Sequence, residues 1–123
     1  MALSKRDKER LAGVDPRLAR LFREVAKQHP GRFIITEGLR SKERQAEMVR
    51  RGASRTYYSR HLTGRAVDVA VMENGKITWD FDAYADFAKI VKAEAEMLDM
   101  PIVWGGDWKK LRDGPHFELP NGW

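Results

Sequence analysis

Two short apolar segments of the sequence carry side chains that could bind a metal ion. Side chains alternate between the two faces of a β-strand, so segment 66–72 places its valines on one face and Asp68, flanked by alanines, on the other. His116 lies in the same way on a second apolar segment, 116–119, and His61 precedes Asp68 in a loop. Two imidazoles and one carboxylate that leave a fourth position open for water form a typical catalytic zinc site.

A catalytic zinc site also needs a base that takes the proton from the attacking water. Asp113 is the best-placed candidate, because it precedes His116 by three residues and Gly114-Pro115 makes a tight lead-in. Plainer interpretations stay open at this point. A histidine in a strand usually makes structural hydrogen bonds, an aspartate before Gly-Pro is a common turn residue, and Glu118 could simply be solvated.

Length and composition set limits on the rest. The chain has 123 residues, of which 42% are hydrophobic and 10% aromatic, which predicts one folded domain around a single core. It contains no cysteine, which excludes disulfides, thiolate nucleophiles and cysteine-ligated zinc or iron–sulfur sites. A metal ion would therefore have to be bound by aspartate, glutamate or one of only three histidines.

Charge is distributed unevenly along the chain. Residues 1–65 carry 17 basic and 7 acidic side chains, a net charge of +10, whereas residues 66–123 have a net charge of −5. A basic half suggests a polyanionic partner such as nucleic acid, anionic lipid or a wall polymer. The alternative is that the scattered arginines and lysines only solvate helix faces.

Neither a membrane span nor a secretory signal is visible in the sequence. No apolar run approaches the roughly 18–20 residues that a span requires. The N-terminal segment is charged from Lys5 onward and lacks the apolar stretch of a signal peptide. We therefore expect a chain that is synthesised as a soluble cytosolic protein and, if it acts elsewhere, is delivered by another component.

Capping residues predict three helices. Asp15 followed by Pro16 is typical of an N-cap and a first helical position. Apolar residues at helical spacing follow, and the His-Pro-Gly sequence at 29–31 ends the pattern. The second helix is expected from Ser41 to about Gly52, followed by a loop over 53–60, and the third from Asp80 or Asp82 to Pro101.

Short segments rich in β-branched and aromatic residues predict the strands, and Asn74-Gly75 predicts a hairpin. Because the helices and this hairpin do not alternate as βαβ units, the α+β class is favoured over a doubly wound sheet. We expect a small antiparallel sheet of about four strands with three helices packed around it. The candidate strands are 32–36, 66–72, 76–79, 102–104 and 116–119.

Several motifs together resemble those of a known family. Residues 59–68, SRHLTGRAVD, and residues 113–116, DGPH, resemble the paired motifs of the LAS-type zinc peptidases. That group includes D-Ala-D-Ala carboxypeptidases and is structurally related to the hedgehog domain. Residues 38–45 and 104–119 look like the L-alanyl-D-glutamate endopeptidase branch, which has many bacteriophage endolysins. The resemblance spans roughly residues 33–120, so we expect no separate cell-wall-binding module.

The resemblance implies roles for individual residues. It implies one zinc ion bound by His61, Asp68 and His116, with Asp113 as the general base that later protonates the leaving amine. It also implies that Arg40 holds the substrate carbonyl and its developing oxyanion, as a guanidinium beside negative charge can do. Without the family, Arg40 would be interpreted as a solvated arginine before a helix cap.

The remaining motif residues are assigned to the surroundings of the metal. Ser59 is expected to hydrogen-bond around the metal shell or the substrate, and Gln45 is assigned with it to substrate binding. Gly64 and the pair at 105–106 would allow tight turns close to the cleft. Two tryptophans, Trp104 and Trp108, could wall the cleft or belong to the core, and we expect one of them in the core.

The favoured hypothesis is a zinc endopeptidase that hydrolyses the stem peptide of bacterial peptidoglycan between L-Ala and D-Glu. The family implies a phage-type endolysin, released from the cytoplasm through a partner's pore to act on the wall in the periplasm, and we expect it to be a monomer. We expect neither nucleic-acid binding nor membrane insertion, because the sequence has no recognised nucleic-acid motif and no apolar run long enough for a span. The same ligands would also accept cobalt or nickel.

Two alternatives stay open. A D,D- or L,D-carboxypeptidase would need a group that recognises a terminal carboxylate, which Arg55, Arg60 or Arg65 could supply. An inactive zinc-stabilised module could bind a wall polymer or nucleic acid through the basic half. The intact Asp113 argues against the inactive module, because such a module would not need a base there.

Overall fold

The computed structural model describes residues 3–52 and 59–123. Across those ranges the chain forms four α-helices, two 3₁₀-helices and a five-stranded antiparallel sheet. None of the described helices is long and apolar enough to cross a membrane. The helices are α1 (Lys5–Leu11), α2 (Pro16–Gln28), α3 (Lys42–Arg50) and α4 (Phe81–Met97), the strands β1 (Phe33–Glu37), β2 (Ala66–Glu73), β3 (Lys76–Thr78), β4 (Val103–Trp104) and β5 (His116–Glu118), and the 3₁₀-helices Arg60–Thr63 and Gly105–Asp107.

The predicted α+β class is confirmed, and α2, α3 and α4 each begin at a predicted N-cap residue. The Asp15 side chain accepts a hydrogen bond from the Arg17 amide at 2.9 Å, which satisfies one of the unpaired amides of α2. Ser41 caps α3 through the Arg44 amide in the same way, and Asp80 is the N-cap of α4. Most of the predicted loop at 53–60 lies outside the described residues.

Sequence analysis missed α1, so the described part of the chain has one more helix than expected. The five strands correspond to the five candidate segments, although the sheet was expected to have about four. The seven residues of α1, KRDKERL, offer almost no apolar face, so periodicity gives no signal. The helix is instead attached by polar contacts to the edge strand β1. Asp7 accepts a hydrogen bond from the Ile35 amide and Arg10 donates one to the Ile35 carbonyl, both at 2.9 Å. Asp7 and Arg10 therefore make the hydrogen bonds to β1 that a further strand at this edge of the sheet would otherwise make.

Strand β2 lies at the centre of the sheet, which has the order β1-β2-β5-β4 with β3 also paired to β2. Its three valines at 67, 69 and 71 are buried in the core with Phe117 of β5, as the alternating pattern predicts. Asp68 therefore lies on the opposite face, where the register pairs it with His116 on one side and Glu37 on the other.

A cluster of aromatic rings packs that core face against α2 and α4. Phe22 of α2 packs edge-on against both Phe33 and Phe117, at centroid distances of 5.9 and 5.6 Å, and Phe87 of α4 closes the group. Since β1 and β5 are both fixed by these contacts, the polar face of the sheet is fixed as well.

Candidate metal centre

The structure brings the three predicted metal ligands together. Asp68 and His116 are register partners on adjacent strands, and His61 reaches the same face from the 3₁₀-helix Arg60–Thr63. Their ligand atoms lie within 4.8 Å of one another. Oδ1 of Asp68 is 3.2 Å from Nε2 of His61 and 3.1 Å from Nδ1 of His116, so one carboxylate oxygen faces both imidazoles.

Local chain geometry places His61 at this point. The Ser59 hydroxyl accepts a hydrogen bond from the His61 amide at 3.2 Å and caps the 3₁₀-helix. Gly64 ends that helix with a φ of +71°, and a side chain there would approach the Gly13 carbonyl oxygen at 2.3 Å. The tight turn predicted at Gly64 is therefore present, and only glycine fits it. The contact predicted for Ser59 with a substrate stays a prediction.

His61 is oriented as a metal ligand. Its Nδ1 lies 2.8 Å from the Gly38 carbonyl oxygen, which can only accept, so Nδ1 carries a proton and Nε2 is the nitrogen left for a metal ion. Nε2 is buried and has no hydrogen-bond partner among the described residues, although Asp68 Oδ1 is close. A buried imidazole nitrogen and a carboxylate oxygen that face each other at 3.2 Å are both atoms that a cation between them could use as ligands. The donor set therefore fits a divalent metal ion.

His116 is held at both ring nitrogens. Nδ1 contacts Asp68 Oδ1 at 3.1 Å and Nε2 contacts Glu118 Oε1 at 2.8 Å. Burial lowers the pKa of His116, but the hydrogen bonds to Asp68 and Glu118 outweigh it and raise the pKa to about 9. In the metal-free protein this imidazole is therefore an imidazolium between two carboxylates.

Glu118 is not the solvated side chain that its sequence allowed. It accepts from His116 and forms an ion pair with Arg60, whose Nε lies 2.6 Å from Oε2. Burial raises the pKa of Glu118, but His116 outweighs that effect and the pKa is lowered, so the group is ionised. Glu118 and the Gly38 carbonyl contact candidate ligands, and the sequence analysis did not predict either contact. The available signal was its spacing, since Glu118 lies on the same strand face as His116.

Asp68 is ionised for a similar reason. Burial raises the pKa of Asp68, but contacts with His116 and His61 outweigh burial and bring the pKa well below the usual range. Its second oxygen, Oδ2, lies 3.7 Å from Nη2 of Arg40. One oxygen thus faces the imidazoles and the other faces a guanidinium.

Arg40 is buried, so its interpretation as a solvated arginine is wrong. Its side chain donates to Gln45 Oε1 at 2.6 Å and forms a salt bridge with Glu37, and both groups orient the guanidinium towards Asp68. Gln45 is buried as well. The contacts predicted for Arg40 with an oxyanion and for Gln45 with a substrate stay predictions.

Asp113 lies beside the three ligands on the expected tight turn. Its amide donates to the Gly105 carbonyl at 3.0 Å, and its carbonyl accepts from the His116 amide at 3.1 Å. A side chain at Gly105 would meet the Asp113 carbonyl at 2.4 Å and the Cβ of His116 at 3.1 Å, so the close approach needs glycine. Burial and the negative charge of Asp68 raise the pKa of Asp113, although His116, His61 and Arg40 oppose the shift.

As expected, one of the two tryptophans belongs to the core and the other does not. Trp104 is buried in the core and donates from Nε1 to the Gly114 carbonyl at 2.7 Å. Trp108 packs against the His116 ring with a centroid distance of 5.1 Å. One tryptophan therefore supports the turn from the core side, and the other lies against a candidate ligand.

Two arginines proposed for carboxylate recognition have partners within the chain. Arg60 contacts Glu118 and Asn121, and Arg65 donates to the Pro120 carbonyl at 3.0 Å. The third candidate, Arg55, lies outside the described residues. These contacts do not favour a carboxypeptidase.

Metal binding should displace a proton from His116. Since its pKa is about 9 without metal, the proton stabilises the metal-free fold fully below the ordinary value of 6.5, and this contribution is lost as the pH rises through about 9. A metal ion competes with that proton for Nδ1. We expect close to one proton released from His116 at pH 7, and an affinity that rises about tenfold per pH unit up to about pH 9.

Calorimetric titration with Zn²⁺ in buffers of different ionisation enthalpy measures this release. His29→Gln changes a histidine at the end of α2, away from the three ligands, and should release the same number of protons. A proton count near zero at pH 7 in the unaltered protein would contradict the raised pKa of His116 in the metal-free state.

Comparison with known proteins identifies the family. The family model described as phage L-alanyl-D-glutamate peptidase matches residues 1–119. An L-alanyl-D-glutamate peptidase of a Listeria phage is 45% identical over 87 residues, 70% of this chain but only 30% of that protein. The crystal structure of the Serratia marcescens L-Ala D-Glu endopeptidase ChiX shares 46% identity with a TM-score of 0.88, and the match covers 98% of this chain and 90% of ChiX.

A more distant structure supports the fold alone. The vancomycin-resistance D,D-dipeptidase VanXYg matches 86% of this chain and 50% of its own with a TM-score of 0.56 and 15% identity. The predicted likeness to D,D-peptidases in fold is thereby confirmed. With the match over residues 1–119, the chain belongs to the phage L-alanyl-D-glutamate peptidase family.

Proposed function

We propose that this protein is a zinc-dependent endopeptidase that hydrolyses the L-Ala–D-Glu bond in the stem peptide of bacterial peptidoglycan. The observation that carries the proposal is the convergence of His61, Asp68 and His116 on one point, with Asp113 beside them. Membership of the family and the likeness to ChiX, which is an L-Ala D-Glu endopeptidase, support the choice of bond.

The three ligands suit a catalytic rather than a structural zinc site. Structural sites usually have four protein ligands, whereas three leave one position for water or substrate. A bound zinc ion would polarise the scissile carbonyl and lower the pKa of the attacking water. The surrounding residues would hold the two imidazole rings in place. The Gly38 carbonyl contacts Nδ1 of His61, and Glu118 contacts Nε2 of His116.

Asp113 is proposed as the proton carrier. A carboxylate accepts a proton from the water as the C–O bond forms, and then delivers it to the amine as the C–N bond breaks. Burial raises the pKa of Asp113, which makes the carboxylate a stronger base than an exposed one. Arg40 is proposed to stabilise negative charge on the carbonyl oxygen, either directly or by holding Asp68.

The site of action follows from the substrate. Peptidoglycan lies outside the cytoplasmic membrane, so we propose that the protein acts on the wall after release through a pore made by a partner. The basic half, with a net charge of +10 over residues 1–65, would favour approach to an anionic wall polymer.

Product analysis tests the function. Purified peptidoglycan is digested with the zinc-loaded protein, with and without a chelator, and the fragments are measured by mass spectrometry. An endopeptidase acting at L-Ala–D-Glu leaves L-Ala on the glycan and releases the rest of the peptide. Loss of a single C-terminal residue would instead show a carboxypeptidase, and unchanged peptidoglycan, or cleavage that persists after chelation, would contradict the proposal.

A further inference from the structure

We infer that Glu118 is a positioning residue that selects the metal-binding tautomer of His116, and that Arg60 holds Glu118 in place for this purpose. The inference rests on the proposed zinc site. It concerns two residues to which the family motifs assign no role.

The contact between Glu118 and His116 follows from their places on β5. Residues two apart on a strand lie on the same face, and here Oε1 of Glu118 is 2.8 Å from Nε2 of His116. The opposite ring nitrogen, Nδ1, points at Asp68 Oδ1 from 3.1 Å. The imidazole therefore lies between the candidate metal position and the Glu118 carboxylate.

An ionised carboxylate can only accept a hydrogen bond, so Glu118 requires a proton on Nε2. A neutral imidazole has one ring proton, and its lone pair is then on Nδ1, the atom that faces Asp68 and His61. Outer hydrogen bonds of this kind fix the orientation of a ligating histidine and make it more basic. At His61 the Gly38 carbonyl oxygen plays the part that Glu118 plays at His116, because it lies 2.8 Å from Nδ1 and accepts a hydrogen bond from it.

Arg60 restricts the Glu118 carboxylate to this position. Its Nε lies 2.6 Å from Oε2, while its Nη2 donates to the Asn121 side chain. Arg60 and His61 are consecutive residues of one 3₁₀-helix. That short helix therefore supplies one ligand directly and, through Arg60 and Glu118, orients a second.

Zinc affinity tests the inference without relying on activity. We would measure the zinc dissociation constant by competition with a chromophoric chelator for the unaltered protein and for Glu118→Gln, Glu118→Ala and Arg60→Gln. Glu118→Gln keeps the size of the side chain, but its amide can also donate to Nε2 and so permits the wrong tautomer. We expect affinity to fall about 10–100-fold for both Glu118 variants and less for Arg60→Gln, which keeps the carboxylate.

A spectroscopic readout separates orientation from packing. The visible absorption of the cobalt-substituted protein reports ligand geometry, and we expect it to change in Glu118→Gln. The matched control is Glu73→Gln, which removes an exposed carboxylate at the end of β2 and should match the unaltered protein in both measurements.

The outcomes distinguish this inference from the proposed function. If Glu118→Gln binds zinc with unchanged affinity and an unchanged cobalt spectrum, the positioning role is wrong even if the protein cleaves peptidoglycan. If the Glu118 variants lose affinity but the unaltered protein does not cleave peptidoglycan, the inference stands and the proposed reaction fails. Absence of zinc binding in the unaltered protein would overturn both. Should the Glu118 variants fail to fold, the affinity of Arg60→Gln decides, and an unchanged value counts against the inference.

Discussion

Replacing Asp113 with asparagine is expected to leave zinc bound while the rate of peptidoglycan cleavage falls about 10²–10⁴-fold, the usual contribution of a general base. Asparagine has nearly the same size and can keep the backbone contacts of this turn, from the Asp113 amide to Gly105 and from the His116 amide to residue 113. It cannot accept a proton at neutral pH. The loss should therefore appear in kcat, with zinc content unchanged.

The measurement combines metal analysis of the purified variant with the initial rate of fragment release from peptidoglycan. Asp107→Asn is the matched control, because Asp107 is an exposed acid in the same loop region and pairs with Lys92 at 2.5 Å. That control should keep the original rate. An Asp113→Asn variant with full activity would show that another group carries the proton.

The sequence was most informative where periodicity decides the structure. Alternation along β2 and β5 was sufficient to place Asp68 and His116 on the face opposite the valines, because a strand has only two faces. Capping residues such as Asp15 and Ser41 predicted helix starts because an N-cap satisfies backbone amides within one turn. Such signals are local and can be found without knowing the tertiary fold.

The contacts that complete the site are not local. Alternation along β5 could have placed Glu118 on the face of His116, but its pairing with Arg60 joins residues 58 positions apart in sequence and depends on how the 3₁₀-helix docks on β5. The sequence around Arg40 does not indicate that Glu37 and Gln45 are its partners. Without the family motifs, this arginine was therefore interpreted as solvent-exposed. Helix α1 was missed for a related reason, since Asp7 and Arg10 attach it by hydrogen bonds rather than by an apolar stripe.

Replacing Asp68 with asparagine should abolish tight metal binding and, with it, the metal's contribution to stability. Asp68 is the only anionic member of the candidate ligand set, and its Oδ1 faces both imidazoles. We therefore expect a larger loss of zinc affinity than the roughly 10–100-fold typical of outer contacts. Peptidoglycan cleavage should become undetectable.

Thermal unfolding with and without zinc measures this directly. A ligand present at 100 times its dissociation constant stabilises the folded state by about 2.7 kcal/mol, which for a domain of this size raises the melting temperature by about 10 °C. The unaltered protein should show this shift, as should Asp86→Asn, which changes an exposed acid on α4. Asp68→Asn should show almost none. If its melting temperature rose with zinc as much as that of the unaltered protein, the stabilising ion would bind elsewhere, and the geometry of His61, Asp68 and His116 would need another explanation.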